Sequence, residues 1–79
     1  MMQTAPTLSR AEQFRAAVML CEAFLEAIKT AGPNGIPEGT LYAMVMGQGV
    51  SLGTFERIVG ILIEAGKVSK RGHVLTATA

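Results

Sequence analysis

Between Phe14 and Ile28 the apolar residues Phe14, Ala17/Val18, Cys21, Phe24/Leu25 and Ile28 recur at three-and-four spacing, while Glu22, Glu26 and Lys29 fall off that stripe. This is the period of an amphipathic helix. Its start is marked by Ser9 and Glu12, a capping box in which each side chain satisfies a free backbone N–H of the other residue. Its end is marked by Gly32 and Pro33, because glycine accepts the left-handed conformation past a helix and proline cannot continue one. Met1 to Thr7 carries Pro6 and no periodicity, which predicts a mobile tail ahead of a single domain over residues 8–79.

After a turn at Gly32 to Gly35, Ile36 stands alone before Pro37, which biases it toward extended geometry and allows one short strand there. Pro37 to Met46 predicts a second helix, with proline in the first turn, Glu38 near the positive end of the dipole, and Leu41 with Met44/Val45 inward. Gly47-Gln48-Gly49 breaks it. Ser51 is the N-cap of a third helix, with Thr54 at its third position and Val50 stapled to Phe55 across the cap. That helix turns Phe55, Ile58, Val59 and Leu62 inward and stops at Gly66. The period then shortens: Lys67-Val68-Ser69 and His73-Val74-Leu75-Thr76 are the arms of a hairpin around Lys70-Arg71-Gly72. Arg71-Gly72 are its expected central residues, and Val68 and Leu75 share one face.

With 49% hydrophobic residues but only 5% aromatic, the core must be built mainly from aliphatic side chains and methionine. A chain of 79 residues sits near the lower limit, ~70–80, at which one apolar core suffices without staples. The single cysteine, Cys21, cannot form an internal disulfide, and its place on the apolar stripe reads as buried filler. No signal peptide pattern opens the chain, and no apolar run approaches the ~18–20 residues that cross a bilayer, so a cytoplasmic protein is expected. One His, one Cys, one Tyr and no Asp give no catalytic constellation, no metal site and no cofactor motif; His73 lacks companion ligands. An enzyme is not expected.

Net charge is +1, yet its distribution is uneven. From Val50 onward Arg57, Lys67, Lys70 and Arg71 stand against Glu56 and Glu64; earlier, Arg10, Arg15 and Lys29 stand against Glu12, Glu22, Glu26 and Glu38.

A mostly α chain with a small β-hairpin, in the order helix, extended residue, helix, tight turn, capped helix, hairpin, resembles the three-helix winged helix-turn-helix superfamily. The residues that carry the likeness are G-I-P-E-G-T-L-Y-A-M-V-M and S-L-G-T-F-E-R-I-V-G-I-L-I-E-A-G-K-V, within positions 35 to 76. Short phage- and mobile-element-encoded proteins of this arrangement are similar too. The resemblance implies double-stranded DNA as partner and transcription regulation as the task, with the third helix in the major groove and the wing on the backbone. It directs Ser51, Gly53, Thr54 and Arg57 toward DNA from the third helix, and Lys67, Lys70, Arg71 and His73 toward phosphates from the wing. Arg57 is the only basic residue of the third helix, and Glu56 adjoins it. Four phosphate contacts would give a salt slope of about −3.6 per chain.

Bland readings stand beside these. Arg57 could simply solvate its helix, and the wing cluster could be charge that protects a sheet edge. Gly53 and Gly60 cost roughly 0.8–1.0 kcal/mol each inside a helix; close approach of DNA, close approach of another helix and simple drift all account for them, and a helix is the favoured neighbour for Gly60. Val18-Met19-Leu20-Cys21 and Ile61-Leu62-Ile63 spread apolar side chains around their helices beyond what one small core can cover. A homodimer through residues 14–28 is the expected use of that surplus. The alternative function is a protein-protein interaction module built on the same fold without DNA binding.

Overall fold

The computed structural model describes residues 9–78; the predicted tail at 1–7 lies outside them. Three helices, α1 (Arg10–Thr30), α2 (Glu38–Met46) and α3 (Leu52–Glu64), combine with strands β1 (Ile36–Pro37), β2 (Val68–Arg71) and β3 (Val74–Ala77). The protein is thus mostly helical, with a small antiparallel sheet of order β1-β3-β2. The sheet has three strands rather than the hairpin alone, because Ile36 and Pro37 pair with Leu75 and Val74. Pro37, which has no N–H to donate, sits on an edge strand where that loss is tolerated. It is the N-cap of α2 rather than its first helical residue.

Local chemistry explains most boundaries. The capping box of α1 forms in full: the Glu12 N–H donates to Ser9 Oγ at 3.1 Å and the Ser9 N–H donates to Glu12 Oε1 at 2.9 Å. At the end of α3 the Lys67 N–H donates to the Leu62 carbonyl at 2.9 Å and the Gly66 N–H to the Ile63 carbonyl at 3.0 Å. This is a Schellman motif, with Gly66 at φ 73°, and it turns the chain straight into β2.

The core joins all three helices to the sheet. Phe24 and Ile28 from α1, Leu41 from α2 and Leu75 from β3 are fully buried, surrounded by Ile36, Phe55, Ile58, Val59, Leu62 and Val68. Phe55 centres the few aromatic rings, tilted against Phe24 at 5.6 Å and edge-on to Tyr42 at 5.2 Å. All four inward positions predicted for α3 are buried, and so are Val68 and Leu75.

Three inward assignments are corrected. Phe14 is 72% exposed, Val18 37% and Met44 55%. In α1 the reason is length: 21 residues span about 32 Å at 1.5 Å per residue. The rest of the fold covers only the C-terminal half, so every side chain from Arg10 to Ala16 is exposed. The molecule is correspondingly elongated, 53 Å by 23 Å by 18 Å. In α2 the nine-residue helix reaches the core through Leu41 and half-buried Tyr42 and Val45, leaving Met44 outside.

Candidate functional site

The third helix and the hairpin hold the eight residues singled out from the sequence. Ser51 caps α3: its Oγ accepts the Thr54 N–H at 3.2 Å and donates to Thr54 Oγ1 at 3.1 Å. Both hydroxyls are thus engaged with each other, and Thr54 is half-buried. Gly53 and Arg57 lie a turn apart on the outward face, both exposed, opposite the buried row Phe55, Ile58, Val59 and Leu62. Among the described residues Arg57 forms no ion pair, in spite of Glu56 beside it. The first turn of α3 contains no acidic side chain.

A methyl group added at Gly53 or Gly60 would meet nothing within 4 Å. A neighbouring helix is therefore not the reason for Gly60, which corrects that expectation. At both positions the outer surface of α3 is low and open.

The hairpin turn is Gly72-His73, one residue later than predicted, because Arg71 pairs with Val74. Gly72 has φ 62° and His73 has negative φ, the φ pattern of the type II′ turn suited to the twist of two strands. This register splits the four wing residues instead of gathering them. Lys70, opposite Leu75 and on the same face as Val68, turns toward α2 and its Nζ lies 3.3 Å from Glu38 Oε2. His73 brings Nδ1 to 3.6 Å from Glu38 Oε1, and the Glu38 N–H donates to the His73 carbonyl at 2.7 Å. Lys67 sits at the other end of the hairpin, beside α1. Arg71 lies on the opposite sheet face, at an open hollow of about 530 Å³ with Asn34, Ser69 and Thr76.

Glu38 is the residue that reading the chain missed. Its sequence context signals only a favourable place in the helix dipole, and nothing local shows that a residue more than 30 positions away will pair with it. The strand register brings Lys70 and His73 to it, and the tip of the hairpin is thereby tied to the N-terminus of α2. Three cations, Arg57, Lys67 and Arg71, have no carboxylate within ion-pair distance among the described residues.

Cys21 is half-buried on α1. Burial pushes its thiol above the ordinary value, and the neighbouring Glu22 charge adds to that. A thiol so held is a poor nucleophile at neutral pH. Among the described residues no group of His, Cys, Asp and Glu could hold a metal ion, and no helix is long and apolar enough to cross a membrane. No protein-family model, no curated protein and no solved structure matches the chain.

Proposed function

We propose that this chain is a winged helix-turn-helix protein that binds double-stranded DNA, a small transcriptional regulator or accessory factor of prokaryotic or phage type. The observation that carries the reading is the outer face of α3: Arg57 without an ion pair among the described residues, Gly53 and Gly60 open, and no acidic residue in its first turn. The element order β1-α2-α3-β2-β3 and the sheet order β1-β3-β2 support it. Arg57 enters the major groove, where a guanidinium can bind guanine in two places, and the N–H groups at the start of α3 face phosphate. Arg71 and Lys67 neutralise backbone charge. Lys70 acts indirectly, through its ion pair with Glu38, and His73 through its carbonyl, which accepts the Glu38 N–H. The protein carries out no catalysis of its own, needs no cofactor, and works in the cytoplasm, where its thiol stays reduced.

A second reading, a protein-binding adaptor, is favoured by one observation. Met44, Met46 and Leu52, each about half exposed, surround the turn between α2 and α3, where a DNA-binding surface would be polar.

A labelled mixed-sequence duplex titrated at low and moderate salt separates the two. With three open cations rather than four, the expected slope is about −2.7 per chain at −0.9 per contact. Binding should be micromolar or tighter at low salt. Arg57→Ala should weaken it about tenfold, within the ~1–3 kcal/mol of a specific base contact, whereas Lys70→Ala should change it much less. No binding at low salt would remove the DNA reading and leave the adaptor.

A further inference from the structure

Along α1 runs an apolar stripe that its own fold covers only in part: Phe14 and Val18 are exposed, and Cys21 and Leu25 are half-buried. Phe14, Val18, Cys21 and Leu25 follow one another at spacings of four, three and four, the repeat of a coiled-coil seam. The stripe forms one wall of an open groove of about 400 Å³, lined along its length by Phe14, Val18, Cys21 and Leu25 and completed by Ile61 and Ala65 of α3 and by Lys67. The N-terminal end projects beyond the globule to Phe14, the most exposed of the large apolar side chains among the described residues. One stripe therefore offers a protruding ring at one end and a walled groove along its length. That is the condition for an isologous pair, in which the same patch meets itself and each contact occurs twice.

We propose that the occupant of this groove is a second copy of the chain, with the two α1 helices antiparallel and crossing between Met19 and Leu20. In that register Phe14 of each copy enters the groove at Leu25 of the other, and Val18 packs on Cys21 of the other.

The flanking charges select this orientation. Arg15 and Glu22 each follow a seam residue, Phe14 and Cys21, and so lie along the same side of the stripe, seven positions apart. Antiparallel pairing brings Arg15 of one copy within about 3 Å, measured along the axis, of Glu22 of the other, twice by symmetry. Parallel pairing instead sets Arg10 beside Arg15 of the other copy, like charge against like. The seam is short, about 17 Å from Phe14 to Leu25, and a dissociation constant on the order of micromolar fits an interface at the small end of the specific range. Phe24 and Ile28 take no part, since both are buried in their own core. Arg57 and Arg71 stay outside the seam, and of the proposed DNA contacts only Lys67 borders the groove, so the pairing stands whether or not α3 meets DNA.

Sedimentation equilibrium of the full chain and disulfide trapping test this together. The wild type should be a dimer at tens of micromolar, and Phe14→Asp, a change at an exposed site that leaves the core intact, should be a monomer with an unchanged far-UV spectrum. Val18→Cys should form a cross-linked dimer with the native Cys21 under copper–phenanthroline in air, while Met19→Cys on the outer side should cross-link at least tenfold more slowly. A wild type that is monomeric at 100 micromolar overturns the proposal, as does a Phe14→Asp variant that still dimerises, or equal trapping through positions 18 and 19.

Discussion

Replacing Gly35 by alanine adds one methyl group where the turn after α1 passes closest to the central strand. The new Cβ would lie 2.5 Å from the Leu75 carbonyl oxygen, 2.7 Å from Val74 Cγ1 and 2.9 Å from Thr76 Oγ1. The two side chains can rotate away, but the carbonyl belongs to the strand that both β1 and β2 pair with. Relief therefore means moving backbone. Overpacking of this kind costs about 1–3 kcal/mol, and a side chain at φ 75° adds ~1–2 kcal/mol. The smaller unfolded-state entropy of alanine returns only ~0.4–1 kcal/mol. The net loss is about 2–4 kcal/mol, against roughly 4–12 kcal/mol for a domain of this size. At ~4–8 °C per kcal/mol, Tm falls by at least about 8 °C. Gly32→Ala is the control: its φ is 82°, but its added methyl group meets nothing within 4 Å, so it carries the backbone strain without the collision. Urea and thermal unfolding followed by circular dichroism measure both. If Gly35→Ala is no less stable than Gly32→Ala, the close approach of the turn to β3 is not what this structure says it is.

Ser51→Ala removes the side-chain acceptor of the Thr54 N–H and should cost ~1 kcal/mol in urea unfolding, with Ser51→Asn restoring most of it. Leu75→Ala empties the fully buried centre of the sheet and should cost about 2–5 kcal/mol in urea unfolding. Glu38→Gln releases Lys70 and His73 but should change stability by under ~1 kcal/mol, because the pair is partly exposed and screened. Cys21 gives a pH signature. Its thiol is raised in the fold, so the unfolded chain ionises first; stability is intact below the unfolded value and is lost as pH climbs toward the folded one. The urea midpoint of the wild type should therefore fall relative to Cys21→Ala above about pH 9, and iodoacetamide at pH 8 should label the folded chain more slowly than the urea-unfolded one.

What the chain declares by itself is whatever depends on neighbours a few positions apart. The capping box at Ser9 and Glu12, the N-cap at Ser51 and the glycine stop at Gly66 are local hydrogen-bond patterns, and each stands where the residues place it. The inward row of α3 is equally legible, because a helix buried along one whole face shows its period without ambiguity. The hairpin is readable as a hairpin, but not to the residue: Gly72 can be the first or the second residue of a two-residue turn, and the strand register that pairs Arg71 with Val74 makes it the first.

Tertiary structure decided the rest, and for two physical reasons. A hydrophobic stripe states that a surface avoids water, not what covers it; Phe14 and Val18 continue the period of Phe24 and Ile28, yet the fold is too short to reach them. A charge states its sign, not its partner. Lys70 and Arg71 are adjacent in sequence, but strand alternation sends them to opposite faces, one toward Glu38 and the other to solvent.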